Sequence, residues 1–170
     1  FYASGPQAKW LEGLAGRGAQ GGIAVIGLGE EIGRASAIKM AYAALTKGTM
    51  TLQAAVLMTA MRLGVFEELG LEFEKSQPEV WARMGVLPFL PADSGRWIGE
   101  MEQIAATFRD AGVPDGFHRG AAAIFRIMAA TPFAAETRET LDRSRSLEGA
   151  IRVFADYLTA AEGEDPPLGS

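Results

Sequence analysis

Residues 31 to about 64 contain no proline and are rich in Ala, Met, Leu and Ile, with Gly48 as the single soft spot. Such a stretch reads as one long helix, apolar on nearly every side. A helix of that kind is normally buried at the centre of a domain. The chain around it is therefore expected to be mostly helical and built on one central element.

The flanking sequence fits this frame. "FYASG" is a short apolar run stopped by Gly5 and Pro6, and reads as a strand. "PQAKWLEGLAGRG" places Trp10, Leu11 and Leu14 at helical spacing, and Gly16 and Gly18 close it. "GGIAVIG" reads as a second strand bounded by glycines. Residues 1–30 thus form a β-α-β segment, too short to stand as an α/β domain. After the long helix comes an acidic amphipathic helix from Glu67 to Lys75. A helix through Met84 follows, with Ser76 as its N-cap, Pro78 in its first turn and Glu79 three residues past the cap. "VLPFLPADSG" reads as a proline-punctuated loop in which Asp93 or Ser94 caps the next helix, itself closed by Gly112 and Pro114. Two further helices are expected, one cut off by Pro132 and one over "SLEGAIRVFADYLTAA". Residues 31–161 form an all-helical domain in this reading, and residues 162–170 a disordered tail.

Composition narrows the function classes. The chain has 170 residues, 48% of them hydrophobic, and a net charge of -5. The acidic balance argues against a nucleic-acid or anionic-membrane partner. There is no cysteine, which removes disulfide and thiolate chemistry and makes a cytoplasmic location the expectation. No apolar run approaches the roughly 20 residues that span a bilayer. One histidine and scattered carboxylates offer no metal site. The chain starts without methionine and partway into a strand, so it is expected to be a fragment lacking an N-terminal part.

"GLGEEIG", residues 27–33, imitates the glycine turn of a dinucleotide-binding strand and helix. Its sequel does not match one. The helix leads into more helix, with no second strand and no acidic residue near position 50, and Glu30 and Glu31 stand where a pyrophosphate would lie. The stretch reads better as a sharp joint between a strand and the long helix.

On that helix, at about 100° per residue, Ser36, Tyr42 and Thr46 fall within about 60° of Lys39, with Lys47 at the edge of the stripe. A lysine in so apolar a helix is expected to lose hydration and to exchange protons near neutrality, with the hydroxyls orienting a substrate alcohol or carbonyl. The competing reading has Lys39 reaching solvent or pairing with a glutamate.

The runs "GRASAIKMAYAALTKG", "SQPEV" and "RWIGEMEQIAATF", with "GFH" downstream, resemble the C-terminal part of the 6-phosphogluconate dehydrogenase/β-hydroxyacid dehydrogenase superfamily. They are most similar to its phosphogluconate dehydrogenase-like branch of NAD(P)-dependent oxidoreductases. The resemblance implies a truncated Rossmann domain over residues 1–30, followed by an all-α domain that dimerises and closes the active site. It also implies a small hydroxy-acid substrate and a homodimer. NAD or NADP would be held mainly by an absent N-terminal domain, with Gly33 the one cofactor contact assigned to this chain. The family carries a lysine six residues after the glycine turn, which is Lys39 here, and it assists proton transfer at the substrate hydroxyl. Where the family has asparagine four residues later, this chain has Ala43. Tyr42 and Thr46 replace the histidine and glutamate of true 6-phosphogluconate dehydrogenases, so 6-phosphogluconate is not the expected substrate.

Further candidates have two readings each. His118 follows a glycine turn at a helix start and either meets a substrate carboxylate or serves as a cap or surface residue. Trp97 and Glu100, three apart on one helix face, either line the substrate pocket or, for Trp97, pack in the core. Arg96 either meets an anionic substrate or forms a surface ion pair. Two other functions stay open: a non-catalytic helical dimerisation domain, and a reductase of imines or related carbonyls on the same architecture.

Overall fold

A computed structural model describes residues 1–13 and 23–158. The first two residues of the expected second strand, Gly21 and Gly22, the end of the first helix and the tail over 162–170 lie outside these residues. The described chain is mostly helical, with one small parallel pair of strands at its start. It divides into two compact units, Phe1–Ala44 and Leu45–Ser170. The division falls inside the long helix, whereas the sequence reading places its boundary ahead of it.

In the first unit, β1 (Tyr2–Ala3) pairs in parallel with β2 (Ile26–Gly27), Tyr2 opposite Ile26 and Ala3 opposite Gly27. Short helix α1 (Ala8–Glu12) lies between them in sequence and packs on β2. Parallel strands need such a crossover, so the β-α-β order expected from the glycine-bounded runs is the order found.

Helix α2 (Arg34–Leu63) is the long element. It ends where the Gly64 amide donates to Met61 O and the Val65 amide to Ala60 O, a reciprocal closure of the last turn. Its burial is uneven along its length. Ala54, Leu57 and Met58 are buried, but Ile38, Tyr42 and Leu45 toward its start are exposed. Central burial, expected for the whole helix, holds for its second half only.

In the second unit, α3 (Phe66–Ser76) and α4 (Pro78–Met84) form a hairpin around Trp81, whose ring lies between Phe66 and Phe73. Ser76 does not cap α4. It is the last residue of α3, and its hydroxyl donates to Glu72 O at 2.7 Å. Gln77 holds the cap position, and Pro78 occupies the first turn, where no N–H is needed.

The stretch expected as a loop is helical instead. A 3-10 turn over Leu87–Phe89 runs directly into α5 (Pro91–Asp110), which starts ahead of both expected caps. Pro91 at the first helical position is the reason, since its fixed φ starts a helix and its missing amide costs no hydrogen bond. Helix α5 packs along α6 (Gly116–Ala130). A 3-10 turn at Pro132–Ala135 leads to α7 (Leu147–Asp156), whose first turn Ser146 caps by accepting from the Gly149 amide at 3.1 Å. The core of this unit is formed by Leu57, Met58, Met101, Ile104, Phe125, Met128 and Phe154, all buried.

Candidate functional site

The candidate residues fall into two groups, one in each unit. In the first unit, the turn ahead of α2 carries Gly33 at φ +98°, a left-handed conformation that a side chain would strain. Gly33 O accepts from the Ala37 amide at 2.8 Å and starts the helical ladder. The first four amides of a helix have no partner within it. One of them, that of Ala35, donates to Ser4 Oγ at 3.1 Å, so a residue following β1 supplies the cap that the turn itself lacks. Glu30 and Glu31 stand exposed beside it.

Beyond the turn, Ser36, Lys39 and Tyr42 are exposed on α2, Tyr42 at 74%. The expected loss of hydration at Lys39 is therefore not found. Its cause is the uneven burial of α2: the apolar side chains around Lys39 are themselves largely open, and close packing begins only near Ala44 and Gly48.

The second unit brings together residues the sequence could only place on separate helices. Lys47 Nζ lies 2.7 Å from Glu100 Oε2 and 5.6 Å from the centre of the Trp97 ring. Arg96 flanks the same ring from 5.8 Å and reaches both Glu100 at 2.6 Å and Asp93 at 3.1 Å. Arg138 closes the series on the other oxygen of Asp93 at 3.0 Å. Burial works against the charge of Asp93, but the hydrogen bonds from Arg96 and Arg138 outweigh it and hold its carboxyl below the usual range. Arg96 thus takes the ion-pair role, and Asp93, expected as a cap, is instead the junction of two guanidinium groups. Trp97 is half-buried and packs edge-on against Phe125, with centroids 5.3 Å apart. Thr46 is exposed one residue before Lys47.

His118 stands apart from this cluster. It is 5% exposed, between Phe108 at 4.2 Å and Phe117 at 5.3 Å, and its Nδ1 is buried with no hydrogen-bond partner. Burial lowers its pKa from the ordinary 6.5. The structure gives it neither the surface position nor the side-chain capping role considered for it from sequence.

Arg138 and Arg145 carry no sequence signal. The first meets Asp93 across 45 residues and the second meets Pro88 O across 57, separations that no local pattern reports. Among the described residues, no group of three or more His, Asp or Glu is placed to hold a metal ion, and no helix is long and apolar enough to cross a membrane.

Comparison with known proteins adds three findings. Residues 60–128 match a domain of unknown function, DUF1932. The matched segment includes Trp97, Glu100 and His118 and begins after Lys39 and Lys47. No curated protein matches the chain. A crystal structure of a conserved hypothetical protein from Sinorhizobium meliloti 1021 is similar, with a TM-score of 0.66 and 23% identity over 92% of this chain and 51% of that one. The two share a fold, and this chain spans about half the length of that protein.

Proposed function

We propose that this chain is the helical, substrate-facing part of a cytoplasmic NAD(P)-dependent oxidoreductase that oxidises a small hydroxy acid, with Lys39 handling the hydroxyl proton. The observation that carries this reading is the placement of Lys39. It is exposed on α2, six residues past the left-handed turn at Gly33, with Ser36 and Tyr42 exposed on the same helix. Support also comes from the matched domain, which is the C-terminal helical domain of NAD(P)-binding 6-phosphogluconate dehydrogenase-like proteins.

The turn at residues 27–33 does not fit a pyrophosphate of its own. Glu30 and Glu31 repel one, and Ser4 already occupies the Ala35 amide. The dinucleotide is accordingly assigned to a domain outside this chain, with at most the backbone of Gly33 at its edge. When bound, its nicotinamide supplies the hydride acceptor. The tasks left to these residues are proton exchange at Lys39 Nζ and hydrogen bonding to the substrate by Ser36 and Tyr42. Lys47, Trp97, Glu100 and His118 belong to the second unit, where Lys47 and Glu100 neutralise each other beside the indole. Their role in this reading is to fix α2 against α5 rather than to react.

A screen of the protein carrying its dinucleotide-binding domain, with NAD and NADP against small hydroxy acids and cyclic imines, tests the assignment. Hydride transfer from a hydroxy acid is the expected result. Turnover of imines alone moves the reading to a reductase, and failure to bind either dinucleotide leaves a non-catalytic dimerisation domain.

One observation favours a homodimer in either case. Ile38, Leu45 and Leu52 are exposed at intervals of seven residues on α2, and Leu63 is exposed near its end. At about 100° per residue these four lie within about 40° of one another. An exposed row of apolar side chains of this kind suits a second copy of the same helix.

A further inference from the structure

His118 is the only histidine in the chain, and the reaction proposed above does not use it. It sits in the first turn of α6 with its neighbour Phe117, and the two rings meet edge to face at 88°. On one side the imidazole packs against Phe108 of α5. Phe117 in turn rests on α2 at Gly48, where a Cβ would come within 2.8 Å of its Cε1. The absence of a side chain at Gly48 is what lets one edge of this otherwise exposed ring approach the helix so closely. Three elements therefore meet through one stack: Gly48, Phe117, His118, Phe108.

The stack contains no group able to accept a proton-bearing nitrogen. Nδ1 is buried and has no hydrogen-bond partner. The charged groups nearest in sequence on the three elements are engaged elsewhere or face water. Lys47 on α2 pairs with Glu100, and Arg109 on α5 pairs with Asp115 ahead of α6 at 3.1 Å. Asp110 and Arg119 are exposed. A proton added to this imidazole would create a buried cation among phenyl rings with no counterion, which is more costly than moving the ring to water.

We propose that His118 is an acid-sensitive latch, in which protonation of its imidazole releases the first turn of α6 from Phe108 of α5 and from Gly48 of α2. The neutral ring keeps the stack closed and the charged ring opens it. Release frees α2 at the residue next to Lys47, so opening also loosens the support of the Lys47–Glu100 pair. Depression of the imidazole pKa by burial alone, with no charged neighbour contributing, is consistent with a closed form that excludes the proton.

A single histidine makes the test direct, because its imidazole C–H resonances in a proton NMR spectrum report one site. In the full chain the histidine midpoint should fall below 6.5. Amide protection factors over residues 117–122 should fall as pH drops, with a limiting slope of about tenfold per pH unit below the unshifted midpoint, and should stay below those over residues 151–155 at every pH. Gly48→Ala displaces Phe117 and should return the midpoint toward 6.5. His118→Leu should make α6 protection independent of pH while keeping the core amides protected. The latch is overturned if the wild-type histidine titrates at its ordinary midpoint, or titrates without change in α6 protection. It is equally overturned if protection over 117–122 equals that over 151–155 at every pH, because those amides then open only when the whole unit unfolds.

Discussion

Lys47 of α2 and Glu100 of α5 form an ion pair of 2.7 Å against the face of Trp97, with only 16% and 27% of their side chains exposed. The pair joins the long helix, just ahead of its buried half, to a helix that contributes Met101 and Ile104 to the core of its unit. Partial burial strengthens the attraction beyond that of an open surface pair, but Arg96 shares Glu100 and can compensate when Lys47 is removed. A double-mutant cycle with Lys47→Ala and Glu100→Ala, read by urea unfolding, should give a coupling of about 1 kcal/mol. Additive single losses would mean that the pair contributes no tie between the helices.

Arg145 is the least exposed cation of those in ion pairs, at 9% of its side chain. One guanidinium nitrogen donates to Pro88 O at 2.8 Å, another bonds Glu136, and the plane lies 3.7 Å from the centre of the Phe133 ring. It therefore ties the segment before α7 to the turn before α5. Arg145→Ala leaves the part-buried carboxylate of Glu136 without its partner and should cost about 2 kcal/mol in chemical denaturation. Arg145→Lys should recover little, because an ammonium cannot fork to both oxygens while stacking on the ring. Full recovery by lysine would reduce the role of Arg145 to charge alone.

The position of His118 also sets an acid limit on stability. Its folded pKa is lowered by burial while the unfolded chain titrates near 6.5, so below that pH the unfolded state binds more protons. Stability should accordingly be unaffected by this group above about 7 and should decline as pH falls through 6. Thermal melts of wild type and His118→Leu between pH 7.5 and 5 measure it. The difference between their melting temperatures should change with pH below 6.5, and a constant difference would remove His118 from the acid response.

The apolar face of α2 makes a prediction about assembly. Leu45→Glu with Leu52→Glu places two charges where a second copy would pack, at positions already exposed in one chain. Sedimentation should show a dimer for wild type and a monomer for the double variant, with helix content unchanged. A monomeric wild type would leave this face without a homodimeric role.

Much of the fold is legible in the sequence because its signals are local. Gly64 and Gly112 end helices, Pro78 and Pro132 start or stop them, and the run after Arg34 admits nothing but helix. The errors arise where local signals compete. Ser76 is a good cap by type, yet α3 extends far enough to use its hydroxyl within the helix. Asp93 and Ser94 are good caps as well, but Pro91 begins α5 ahead of them. The site is less legible than the fold. The spacing that places Lys39 on α2 is a local matter, whereas its exposure depends on which half of the helix is covered. Helical periodicity places Trp97 and Glu100 on one face, but their meeting with Lys47 is set by packing between helices. Nothing in the pattern points to Arg138 or Arg145, whose partners lie far away in sequence.

The central claim concerns Lys39 as the group that moves the hydroxyl proton. Lys39→Met keeps the length and helical preference of the side chain and removes its amine, and the residue is exposed, so folding should be unaffected. In the protein carrying its dinucleotide-binding domain, the single-turnover rate of hydride transfer from a hydroxy acid should fall by about 100-fold or more, with dinucleotide affinity unchanged. A variant that keeps most of the wild-type rate contradicts the account.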